Sequence, residues 1–125
     1  MIRIGSMAGK RRSKYGAVSV RVDGHFFPST REARRYGELK LLEKAGRIRN
    51  LRLQPEFPIV VEGEMICIYR GDFQYTEMKP GFDSWATDEE GQLVVEDVKG
   101  VKTDVYKLKK KLVKATHGIE IREVK

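Results

Sequence analysis

The sequence has one cysteine, Cys67, two histidines and four prolines among 125 residues. A lone cysteine excludes an intramolecular disulfide framework and a cysteine-only zinc site. The histidines, His25 and His117, are far apart, are expected at the surface, and leave no Ser-His-Asp or Cys-His arrangement for nucleophilic catalysis. No apolar run approaches the ~20 residues of a membrane-spanning helix, which excludes a helical integral membrane protein. No apolar segment follows the N-terminal basic residues as it would in a secretory signal. Internal repeats and a Walker-type glycine-rich phosphate loop are also missing. The expectation is one domain in a reducing, cytoplasmic setting.

Charge is what the sequence does have. Lys and Arg number 25 against 18 Asp and Glu, for a formal net charge of +7. Residues 1–50 carry 13 basic and 4 acidic side chains, residues 51–98 carry 3 and 11, and residues 99–125 carry 9 and 3. The overall balance favours an anionic partner, most simply nucleic acid. An acidic middle between basic flanks suits a protein that holds divalent cations against a polyanion, because hard cations prefer carboxylate oxygens. Asp83, Asp88, Glu89 and Glu90 are read as loop solvation and set aside.

Residues 1–14 read as a flexible basic arm. Gly5-Ser6-Met7 resembles a cloning junction ahead of a native start at Met7. Lys10, Arg11, Arg12 and Lys14 form a basic run suited to phosphate contact. Val18 to Val22 alternates as a strand, Asp23-Gly24 is a hairpin turn, and His25-Phe26-Phe27 returns until Pro28. Ser29-Thr30-Arg31-Glu32 matches a capping box that opens a helix to about Ala45, stopped by Gly46. Ala33, Tyr36, Leu39 and Leu42 form its buried stripe. Leu51 to Val61 reads as a bent or edge strand interrupted by Pro55 and Pro58. Met65 to Tyr75 reads as one strand with Gly71 as a bulge. Residues 76–91 are expected to be a polar loop, which Trp85 would anchor.

Leu93 to Lys99 is nearly continuous in apolar residues at its start, which predicts a central strand buried on both faces. Thr103 or Asp104 caps a second helix to about Thr116, with Gly118 as its stop, and Ile119 to Val124 closes the fold as a strand. The expected fold class is α/β: a mixed central sheet with a helix on each side and an N-terminal β-hairpin, spanning residues 15–125 as one domain.

Three acids stand where solvation does not account for them. Asp97 lies on the most apolar strand, and alternation puts Leu93, Val95, Asp97 and Lys99 on one face with Glu96 on the other. A carboxylate and an amine so placed can jointly hold a metal ion and a water or phosphate oxygen; an ordinary strand-end ion pair is the plain alternative. Asp72 interrupts an apolar-aromatic strand, so if buried it needs a partner. A cation is one, Arg70 or a turn another. Glu32 suits a capping box, yet its helical angle falls within the buried stripe, from which it could face the same cation.

In order and spacing, Glu32 on a first helix, Gly71-Asp72, then Asp97-Val98-Lys99 and a helix resemble the PD-(D/E)xK nuclease superfamily. Asp23-Gly24, Phe27, Ser29, Tyr36, Leu51, Gln54-Pro55, Phe57, Phe73 and the run from Val94 to Gly100 look like a family of small phage nucleases. They are more distantly similar to TnsA-type transposon endonucleases and archaeal-type Holliday-junction resolvases. The resemblance covers about residues 14–125 and implies a restriction-endonuclease-like fold. It implies that Asp72 and Asp97 bind Mg²⁺ or Mn²⁺, that the Val98 carbonyl is a further ligand, and that Glu32 binds directly or through water. Lys99 would orient the attacking water and stabilise phosphate charge. Gly71 departs from the family's usual proline, and Glu96 beside Asp97 leaves two registers for the acid.

Phosphodiester hydrolysis adds charge to an anionic centre, and a divalent ion with a lysine answers that need. In the second helix Val105, Leu108, Leu112 and Ala115 are expected to face inward, with Lys109 snorkelling among them. Lys102, Lys107, Lys110, Lys111 and Lys114 would form a phosphate track, reading backbone and shape rather than sequence. The resemblance implies a divalent-metal-dependent DNA endonuclease acting as a homodimer on branched DNA such as a Holliday junction, in phage replication or recombination. Phe26 and Phe27 are candidates for the dimer seam. The rivals are a catalytically inactive DNA-binding accessory protein and an RNA nuclease.

Overall fold

A computed structural model describes residues 19–79 and 91–125. The basic arm, with Lys10, Arg11, Arg12 and Lys14, and the loop positions Asp83, Trp85, Asp88, Glu89 and Glu90 lie outside the described residues. The chain divides into two compact units, one ending at Arg34 and one running from Arg35 to Lys125.

In the first unit, β1 (Val20–Val22) pairs antiparallel with β2 (His25–Phe27). Asp23 and Gly24 both have positive φ, 52° and 78°, as a tight two-residue turn matching strand twist requires. Phe26 is 58% exposed while Phe27 is buried. Helix α1 (Thr30–Lys44) starts here, with the Ser29 Oγ accepting from the Glu32 amide at 3.2 Å, half of a capping box.

In the second unit, α1 buries Tyr36 and Leu39 and ends at Gly46, whose φ of 78° lets its amide donate to the Glu43 carbonyl. Strands β3 (Ile48–Leu53), β6 (Phe73–Met78), β7 (Gly91–Val98) and β8 (Arg122–Val124) form one sheet in the order β3-β6-β7-β8. The first two pairings are antiparallel and β7–β8 is parallel, so the sheet is mixed. Strands β4 (Glu56–Val61) and β5 (Glu64–Arg70) form a separate antiparallel hairpin, turned at Glu62-Gly63. Helix α2 (Asp104–His117) joins β7 to β8; Thr103 caps its amide end and Gly118, at φ 70°, closes the other. Among the described residues the fold is mixed α/β with two helices.

Two long strands of the sequence reading are each divided. Residues 51–61 split at Gln54, which has a φ of 51°, and residues 65–75 split at Gly71-Asp72. Each half joins a different sheet. The Gly71 amide donates to the Pro55 carbonyl at 2.9 Å, tying the two breaks together. A Cβ on Gly71 would come within 3.1 Å of the Val95 side chain, so the close approach of the chains requires glycine or a shift of Val95. Pro58 has no amide to donate, and it sits in a two-stranded hairpin where only one side of the strand needs donors.

Central strand β7 is buried from Val94 to Val98. Val95 packs in a core with Ile59, Tyr69, Tyr106, Val113 and Ile121, so α2 and the β4–β5 hairpin cover that face. Glu96 points to the other face, where Arg35 of α1 meets it. The phase of α2 differs in part from the sequence reading: Leu112 packs against the core as expected, but other members of its stripe do not. Val105 and Leu108 are 62% and 58% exposed, and the buried residues are Tyr106 and Val113. Lys109 and Lys110 follow Tyr106 at helical spacing, and both are half-buried. The Lys109 ammonium reaches the Ile68 carbonyl at 3.4 Å. Among the described residues no helix is long and apolar enough to cross a membrane.

Candidate active site

The site forms where the β6–β7 ladder ends. Register pairs Phe73 with Glu96 as the last rung, and Asp72 and Asp97 follow directly on their two strands. There the ladder changes pattern. The Asp72 amide donates to the Glu96 carbonyl at 2.9 Å, and Asp72 Oδ2 accepts from the Val98 amide at 2.7 Å. The aspartate therefore terminates the strand by capping the next amide of β7 with its own side chain. Arg70, a candidate partner for Asp72, pairs instead with Glu56 at 2.7 Å.

Asp97 is 3% exposed. A buried carboxylate needs donors, and it has two: the Tyr69 hydroxyl on Oδ2 at 2.5 Å and the Lys99 ammonium 3.4 Å from Oδ1. Burial, and then Asp97, push the Tyr69 phenol well above its usual range, so it remains a donor at any physiological pH. Burial, and then its bond to Glu123, raise the Tyr106 phenol, with Asp97 and Asp72 adding only as nearby negative charges. Lys99 Nζ lies 4.6 Å from the Tyr106 ring centroid, a cation–π contact. Its amide donates to the Val124 carbonyl, fixing the end of β7 on β8.

Behind Tyr106 stands Glu123, paired across β7–β8 with Asp97. Its carboxylate accepts from the Tyr106 hydroxyl at 2.8 Å, from Lys110 at 3.0 Å and from Lys102 at 2.9 Å. Lys102, then Lys110 and Tyr106, hold its acid form down to about 2.

Glu96 is buried on the opposite face of β7, wholly out of solvent. Arg35 grips it with two bonds, at 2.9 and 2.6 Å, and the Tyr75 hydroxyl donates as well. The bond to Glu96 raises the Arg35 guanidinium further above its usual range, and burial raises the Tyr75 phenol. Arg122 sits beside Tyr75 and forks onto Glu77, whose acid form it lowers. Two adjacent carboxylates thus serve different surroundings: Glu96 is consumed by a structural cluster, and Asp97 faces the lysine.

Asp72, Asp97, the Val98 backbone and Lys99 come together. Among the described residues no three His, Cys, Asp or Glu side chains group as a metal cage. Glu32, half-buried, stands on the first turn of α1 in the unit ending at Arg34. Asp97 accepts one hydrogen bond, on Oδ2, and its Oδ1 faces the Lys99 ammonium as an ion pair, while a carboxylate offers about four lone-pair sites. Two carboxylates and a peptide carbonyl are hard oxygen donors, and Mg²⁺ keeps several of its waters, so this donor set fits Mg²⁺ or Mn²⁺. Of the lysines expected to track phosphate, Lys102 and Lys110 are held by Glu123 and Lys114 pairs with Glu120, while Lys107 and Lys111 are exposed.

The sequence reading did not single out Tyr69, Tyr106 or Glu123. A phenol in an apolar strand or on a buried helix face requires a partner, and that was the available signal. No curated protein and no solved structure matches the chain. Residues 12–125 match the family described as protein of unknown function (DUF1064), and the chain belongs to that family.

Proposed function

We propose that the chain is a divalent-metal-dependent DNA endonuclease of the PD-(D/E)xK type, with a restriction-endonuclease-like sheet. One observation carries the reading. Asp72 caps the Val98 amide, the next backbone group after Asp97, and the Lys99 amine stands 3.4 Å from Asp97. Like charges gathered at one strand end repel one another. Such a pair beside an amine suits a centre that binds a cation and a phosphate together.

Asp72, Asp97 and the Val98 carbonyl would hold the ion. Bound there, Mg²⁺ or Mn²⁺ lowers the pKa of a water and offsets charge developing on the phosphate. Tyr69 keeps the Asp97 carboxylate in one orientation. The Val98 amide does the same for Asp72. Lys99 presents its ammonium to the scissile phosphate and the attacking water, adding positive charge where the transition state gains negative charge. Lys107, Lys111 and the basic arm meet the DNA backbone. Substrate choice follows the resemblance: branched DNA such as a four-way junction, cut by a homodimer whose two sites serve two strands.

The test is incubation of supercoiled plasmid, a four-way junction and a matching RNA with Mg²⁺, Mn²⁺ or EDTA. Metal-dependent cutting of the DNA, abolished in Asp97→Ala with binding retained, is the expected result. Cutting that survives Asp97→Ala or EDTA contradicts the proposal, and cutting of RNA alone moves the substrate class.

A further inference from the structure

We infer that Tyr106, anchored by Glu123, is a positioning residue that sets where the Lys99 amine stands beside Asp97. The inference deepens the nuclease reading and rests on it for its catalytic consequence. Lys99 follows the last residue of β7 and precedes Gly100, and its flexible four-carbon stem lets the ammonium sweep a wide arc. A single contact at 3.4 Å to Asp97 does not fix such a group. The face of Tyr106 at 4.6 Å supplies the second boundary.

The ring is itself held at several points. Tyr106 is buried in the first turn of α2, where its amide donates to the Thr103 capping oxygen at 3.1 Å. Its hydroxyl is fixed on Glu123 at 2.8 Å. Glu123 carries two lysines of its own, Lys102 and Lys110, so its charge is matched without drawing Lys99 away from Asp97. The parallel register that sets Glu123 beside Asp97 gives the anchor and the acid a common frame. The amine is thus located by a chain of contacts running from β8 through α2 to the end of β7.

The experiment uses the full chain with lysine labelled at Cε, the Lys99 signal being assigned by its loss in Lys99→Arg. A ring over the ammonium shifts the Lys99 ε-methylene protons upfield and gives a nuclear Overhauser contact to the Tyr106 ring protons; both are expected in the wild type. Tyr106→Leu should return the resonance to the ordinary lysine position and lower kcat for junction cleavage about tenfold, with KM unchanged. Tyr106→Phe, which restores the ring without its bond to Glu123, should recover part of the shift and part of kcat. An unshifted wild-type Lys99 with no ring contact overturns the inference even if the leucine variant fails to fold. So does a folded Tyr106→Leu with wild-type kcat. A shifted Lys99 in a protein that cuts no nucleic acid leaves the positioning intact and removes the nuclease reading.

Discussion

Tyr69 donates its phenolic hydrogen to Asp97 Oδ2 at 2.5 Å, and both groups are buried. A hydrogen bond to a buried charge is worth more than a neutral one, and losing its donor leaves the charge under-satisfied. Tyr69→Phe should therefore cost about 1–3 kcal/mol in urea unfolding and weaken Mg²⁺-dependent cleavage. A variant as stable as the wild type would mean that the hydroxyl does not support Asp97.

Glu96 and Asp97 are neighbours with opposite outlooks, which gives a paired prediction. Glu96→Ala leaves Arg35 half-buried beside an empty space, and breaking such a pair costs about 3 kcal/mol or more. Asp97→Asn should leave the unfolding midpoint close to wild type while abolishing cleavage. Unfolding and cleavage assays on the two variants separate the roles. If Glu96→Ala proves the silent one in stability and the dead one in cleavage, the acids have been assigned in the wrong register.

Acid should weaken the fold through Glu123. Its acid form is lowered from 4.5 to about 2 by Lys102, Lys110 and Tyr106. A depressed carboxylate contributes stability that is complete above its unfolded value and is lost as pH falls toward the folded one. Wild-type stability should decline between about pH 4.5 and about pH 2, and Glu123→Gln should flatten the decline across that window. Denaturant titrations at pH 5 and pH 3 measure the difference, and parallel losses in both proteins would contradict it.

Gly71 stands where the resemblance leads one to expect proline. Its amide donates to Pro55, and a side chain would press on Val95. Gly71→Pro should destabilise the fold by about 2 kcal/mol or more through the lost bond and the crowding. Gly71→Ala should cost less, because Val95 needs to yield only slightly. Equal stability of the proline variant and the wild type in thermal unfolding would show that this break does not depend on the Gly71 amide.

Local chemistry made much of the fold legible. Asp23-Gly24, the Ser29 cap and the Gly118 stop each act through their own backbone, so neighbours in sequence suffice to place them. The divided strands were not legible, because Gln54 and Gly71-Asp72 break the chain through bonds to residues distant in sequence. The α2 phase was missed in part for a related reason: Tyr106 ends in a polar group, whereas its ring packs in the core. Alternation alone set Asp97 with Lys99 and apart from Glu96. The supports of that site, Tyr69, Tyr106 and Glu123, come from three other elements, and only the folded chain brings them together.

The central claim is that Asp72 and Asp97 together take up a divalent cation. Calorimetric titration of Mn²⁺ into the wild type, Asp72→Ala and Asp97→Ala addresses it without reliance on any substrate. Saturable uptake by the wild type that disappears in both variants is the predicted result. Uptake of equal strength in all three proteins, or none in the wild type, would contradict it.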